Sequence, residues 1–154
     1  MQLMLRRDQP LDRLAGRIAC ADTPGSDLLH DVAATCERFA TLKQAGKTES
    51  FDAFCKSGAW IDAALALLAH ELPGWSIRRL VQDSGLWFCA LSPAPKLPTE
   101  LDEMVEASHE DMALAILFAF VEARRTGKVA AAAAGSVPAT GVTAGYRICC
   151  DNFL

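Results

Sequence analysis

Apolar positions recur along the chain at two periods, helical at both ends and extended in the middle. Leu11, Leu14, Ala15 and Ile18 repeat at the helical spacing and predict a short helix over 11–21, entered after Pro10, where a missing N–H costs little. Thr23-Pro24-Gly25 breaks the chain. Leu29, Val32, Ala33, Cys36, Phe39 and Ala40 form one continuous stripe, which predicts a single helix over 26–45, capped by Ser26 and stopped by Gly46. Phe51, Phe54 and Cys55 suit one helical turn opened by Ser50. A stronger pattern from Ala59 to Leu72 places Ile61, Ala64, Leu65, Leu68 and Leu72 on one face.

Pro73-Gly74 ends that helix, and the period then changes. Trp75-Ser76-Ile77-Arg78 alternates as a strand with one buried face, running to about Val81. Gln82-Asp83-Ser84-Gly85 has turn chemistry, and Leu86 to Leu91 returns as a second strand, giving an antiparallel hairpin. Three prolines between Ser92 and Pro98 dictate a loop, and the acidic piece after it, through Glu106, fits either a helical turn or a solvated loop. From Ser108, with Asp111 three residues on as a weak capping box, a helix is predicted to about 125. It is apolar almost all round, so it must be buried on more than one side. Gly127 marks its end, and the Ala-, Gly- and Thr-rich remainder lacks the apolar residues to pay for order.

These elements imply an α+β fold in which helices pack on a short antiparallel β-hairpin. The chain divides into an N-terminal helical arm (1–25), an α+β core (26–126) and a disordered tail (127–154). The expected core comprises Leu29, Val32, Phe39, Ile61, Leu65, Leu68, Trp75, Ile77, Trp87, Cys89, Ile116, Leu117 and Phe120.

Charge narrows the possible partners. The net charge is −4, and residues 58–125 alone hold ten acids against five bases. A basic stripe is the usual footprint of a nucleic-acid binder, so nucleic acid is not expected as a partner. Met1 to Leu5 is apolar, but Arg6, Arg7 and Asp8 follow too soon for a secretory h-region. The longest apolar run, Met112 to Val121, is half of the ~20 residues that a membrane span needs. A cytoplasmic protein without membrane association is therefore expected. The six cysteines, at 20, 36, 55, 89, 149 and 150, match no small disulfide scaffold and are expected as reduced thiols.

Candidate chemistry is sparse. There is no phosphate-cradling glycine loop, no Gly-x-Ser-x-Gly elbow, no Cys-x-x-Cys and no His-Glu-x-x-His. His109-Glu110-Asp111 is the most suggestive group, an imidazole beside two carboxylates, although acids at a helix start are expected for dipole reasons alone. A metal site would need His109 brought beside His30 or His70. Cys149-Cys150 is a poor tetrahedral pair, since neighbouring side chains point apart. Trp60, Trp75 and Trp87 fit packing at the helix–hairpin junction, and Arg78-Arg79 puts one arginine on each strand face. No cofactor and no metal is expected.

Trp60-Ile61-Asp62-Ala63-Ala64-Leu65-Ala66-Leu67, leading to Leu72-Pro73-Gly74-Trp75, then a hairpin, then Glu106-Ala107-Ser108 before Ala113-Leu114-Ala115-Ile116-Leu117, resembles small bacterial and phage proteins with a phage α-β-α sandwich domain. Leu11 to Leu14 and Gly25 to Leu29 are similar to their N-terminal helices, so the resemblance spans about 11–125. This chain departs from the pattern with Ser108-His109-Glu110-Asp111 in place of a Thr-Pro, and with its long tail. The resemblance implies a fold and no activity. The function expected is a non-enzymatic binding or assembly module with a protein partner, and the resemblance implies a phage derivation. The alternatives are a regulatory partner of a neighbouring gene product and a small hydrolase built on His109. Because the last helix needs cover on two sides, a homodimer is a further expectation.

Overall fold

A computed structural model describes residues 9–134. The chain runs through α1 (Gln9–Cys20), α2 (Ser26–Ala34), α3 (Glu37–Gln44), α4 (Glu49–Ser57) and α5 (Trp60–Glu71) into β1 (Ser76–Asp83) and β2 (Leu86–Ser92). A 3-10 turn (Thr99–Leu101) then leads to β3 (Val105–His109) and α6 (Met112–Ala134). The strands form one antiparallel sheet in the order β1-β2-β3. The class is α+β, and the hairpin is present, enlarged by a third strand from the same chain.

Local chemistry explains the hairpin. Asp83 pairs with Leu86, and the residues between them, Ser84 at φ 53° and Gly85 at φ 85°, are both left-handed. That is the type I′ pattern, whose twist matches the flanking strands. Further along, the β1–β2 register shifts between Ile77 and Arg79, so Arg78 is the extra residue of a bulge. The shift lets Ile77, opposite Leu91, and Leu80, opposite Cys89, share the face that looks toward the helices. Trp87, Val105, Ala107 and His109 complete that face. Arg79, Val81, Phe88, Ala90, Ser92, Glu106 and Ser108 belong to the outer one.

α6 holds the molecule together. It packs on β2 and β3 and also on α1 and α5. Leu114 through Leu117, Ala119, Phe120, Val121 and Ala123 are all buried, which is why its sequence is apolar around the circumference. Within the chain the second cover comes from α1 and α5 rather than from the 26–45 segment. α1, expected as an arm, contributes Leu11, Leu14, Ala15 and Ile18 to the same buried cluster as the other helices.

Several expectations are corrected. The helix over 26–45 is two helices, with a break at Thr35 and at Cys36, whose backbone is extended (φ −94°, ψ 116°). Its cause is tertiary. The Glu71 carboxylate, at the end of α5, accepts the N–H groups of Arg38 and Phe39 at 3.0 and 3.2 Å, capping α3 from outside. Ser26 is the first residue of α2 rather than its cap, and its hydroxyl lies 3.1 Å from His30 Nδ1. The turn at Phe51 is the full helix α4. Residues 105–109, read as loop or helix start, are β3. Ile61 is exposed at 39%, and Leu67, fully buried, takes the core position; α5 turns Ala63 and Ala64 inward, which lets it approach the small residues of α6 closely. α6 passes through Gly127 into the alanine run, where the best helix formers outweigh a glycine cost of about 1 kcal/mol. The rest of the tail expectation, from 135 onward, lies outside the described residues.

Candidate functional site

His109 ends β3 opposite Trp87 and is 9% exposed. Its Nδ1 accepts the Asp111 N–H at 2.9 Å, which leaves the proton of the neutral ring on Nε2. Asp111 Oδ1 accepts the Leu114 N–H at 3.0 Å, and the Asp111 carbonyl accepts the Ala115 N–H at 2.9 Å. Asp111 is therefore the N-cap of α6. Glu110 points to solvent. The structure does bring the three residues together, but their hydrogen bonds are those of a strand-to-helix joint. Among the described residues no hydroxyl or thiol bonds to the imidazole as a nucleophile would.

The other histidines lie elsewhere. His30 Nδ1 is 2.7 Å from the Ser26 carbonyl, its Nε2 is 3.5 Å from Asp52, and its ring meets Phe51 edge-on. His70, in the last turn of α5, tilts against Phe39. Among the described residues no group of three or more His, Cys, Asp or Glu is arranged to hold a metal ion. Cys36, Cys55 and Cys89 are buried, and Cys20 is exposed. Cys149 and Cys150 lie outside the described residues. Trp60, Trp75 and Trp87 are each half-buried against the core, as their spacing suggested.

The outer face of the sheet is only partly covered, with Arg79, Val81 and Glu106 exposed. Among the described residues, α6 is the helix that packs broadly on the sheet, and it occupies the other side. On the outer side Phe88 is half-buried and Val81 is 40% exposed. A strap, residues 93–104, is fastened beside them. Arg78 donates to the Asp102 carboxylate at 2.6 Å, to the Leu97 carbonyl at 2.9 Å and to the Thr99 hydroxyl at 3.3 Å. The Ser92 hydroxyl donates to the same Asp102 oxygen at 2.6 Å and accepts the Ala94 N–H at 3.1 Å. Next to the strap, Arg79 and Glu106 form an ion pair at 2.6 Å across Ala90. Leu97 and Leu101 stand out from the strap, 44% and 69% exposed.

Sequence reasoning missed this clasp. The alternation assigns Arg78 only to one strand face, since a register shift leaves no mark on it, and Asp102 stands among acidic neighbours. It also missed Arg124, near the predicted end of the last helix. Arg124 is buried at 6% exposure, donates to Thr35 Oγ1 at 2.7 Å and to the Thr35 carbonyl at 2.6 Å, and stands over the Phe120 ring. It fixes the α2–α3 joint to α6.

Comparison with known proteins finds no counterpart: no family model, no curated protein and no solved structure matches the chain.

Proposed function

We propose that this protein is a non-catalytic binding module whose partner, a protein, docks on the outer face of the sheet. The observation that carries the reading is the placement of Val81, Phe88, Leu97 and Leu101. They lie outside the buried cluster, and Val81, Leu97 and Leu101 are large apolar side chains left exposed. Exposed apolar groups on the same sheet face and strap as the Arg79–Glu106 ion pair match the make-up of protein interfaces, in which apolar contact is mixed with polar groups. The bonding of His109 gives the hydrolase reading no support, because its Nδ1 is committed to the Asp111 amide. A phage origin and assembly role remain part of the proposal through the resemblance at 11–125.

The test compares the wild-type chain with a Val81→Glu/Leu101→Glu variant. Both positions are exposed, so the variant keeps the core. Immobilised wild type and variant are exposed to extract of the native host and the retained proteins are identified by mass spectrometry. A protein held by the wild type and released by the variant, then shown to bind the purified wild-type chain directly, supports the proposal. Identical retained sets overturn it.

A further inference from the structure

A second site is independent of the sheet face. The start of α3, the end of α5 and the middle of α6 enclose a cleft of about 220 Å³, lined by Glu37, Glu71, Leu72, Trp75, Ala123, Arg124 and Gly127. Burying a guanidinium is costly unless an acid compensates it. Among the described residues, no carboxylate lies within ion-pair distance of Arg124; its bonds there go to the neutral Thr35 oxygens. Two carboxylates stand on the same cleft. Glu71 spends one oxygen on the α3 amides, and Glu37 is exposed at the helix start. Leu72 and the half-buried Trp75 supply an apolar wall.

We propose that this cleft binds a small zwitterion, an α-amino acid with an apolar side chain. Its carboxylate meets the Arg124 fork, its ammonium meets Glu37 and Glu71, and its side chain lies on Trp75 and Leu72. A plain anion would bring its charge against two glutamates, and a plain cation would meet a buried arginine, so a ligand carrying both charges suits the lining best. The guanidinium retains N–H donors beyond the two used on Thr35, in the planar geometry that matches a carboxylate. The size agrees, since drug-sized ligands occupy roughly 300–1,000 Å³ and this cleft is smaller.

The test uses the full chain and leucine as the probe, followed through the Trp75 indole N–H and Arg124 Nε–H signals in proton–nitrogen correlation spectra. Leucine is expected to shift both saturably at millimolar concentration. N-acetyl-leucine, which lacks the cation, and leucinamide, which lacks the carboxylate, are expected to bind at least about tenfold more weakly. Glu37→Gln, at an exposed position outside the core, is expected to weaken leucine binding severalfold with the rest of the spectrum unchanged. Arg124→Lys is expected to abolish it, and if that variant fails to fold, Glu37→Gln decides. Absence of saturable shifts with leucine overturns the proposal, as does equal binding of leucine and N-acetyl-leucine.

Discussion

Cys89 lies at the centre of the helix-facing side of the sheet, between Leu80 and Ala107, and is fully buried. Burial pushes its thiol up from the ordinary 9.0 to about 11, and the negative charge of Glu106 adds to the shift. The folded chain thus keeps a proton that the unfolded chain has lost. The stability this confers is whole below pH 9.0 and is lost as pH rises through about 11. Urea midpoints measured across that window should fall more steeply for the wild type than for Cys89→Ala; parallel slopes would mean that another group carries the loss. Arg78 gives a second prediction. The Asp102 side chain has no exposure, and its Oδ1 has no hydrogen-bond partner among the described residues, so the carboxylate relies on Arg78 and Ser92 at Oδ2. Arg78→Ala strands this charge and should cost about 3 kcal/mol. Replacing both partners, as Arg78→Met/Asp102→Leu, should cost less, because no buried charge is left alone. Denaturant titration of the two variants checks the order, and the reverse order would show that the clasp acts by packing rather than charge.

Among the elements, the β1–β2 turn is the place where a sequence change should raise stability. Ser84 is a non-glycine residue at positive φ, a conformation that costs roughly 1 kcal/mol for most side chains and less for asparagine. Ser84→Asn creates the Asn-Gly pair that type I′ turns favour and should raise the thermal midpoint by a few degrees, read by circular dichroism. A lower midpoint would mean that the Ser84 hydroxyl, 3.0 Å from Asp83 Oδ1, matters more than the backbone. The turn was legible in the sequence because its chemistry is local, as were α5 and the hairpin strands. The break between α2 and α3 was not. Val32, Cys36 and Phe39 continue one stripe, and the groups that stop the helix, Glu71 and Arg124, come from remote parts of the chain. β3 was legible in principle, since Val105-Glu106-Ala107-Ser108-His109 alternates. Its inward residues Ala107 and His109 are weakly hydrophobic, and Asp111 would have marked the cap one residue before α6. Of the sites, the sequence showed the His109 group but not its bonding, and it showed the arginines without the clasps they form.

For the whole molecule, the expectation of a homodimer rested on the cover that the last helix needs, and an open edge of β1 would be a second reason for one. The first reason is gone, because the sheet, α1 and α5 cover α6 within one chain. The edge is not a plain one either. β1 is an edge strand, but the bulge at Arg78 interrupts its ladder, and a bulge with charged side chains is the usual means of blunting an edge. Arg78 and Arg79 are each paired within the chain, so repulsion between them is no obstacle to edge pairing. The obstacle is geometric: a partner strand would have to match the bulge and tolerate the Arg78 side chain turned toward the strap. The full chain should therefore sediment as a monomer at tens of micromolar in analytical ultracentrifugation. A concentration-dependent shift to dimer would contradict this argument. If that shift were removed by Val81→Glu/Leu101→Glu, the partner of the outer face would be a second copy of the chain; if it persisted, the β1 edge would be in use despite its bulge.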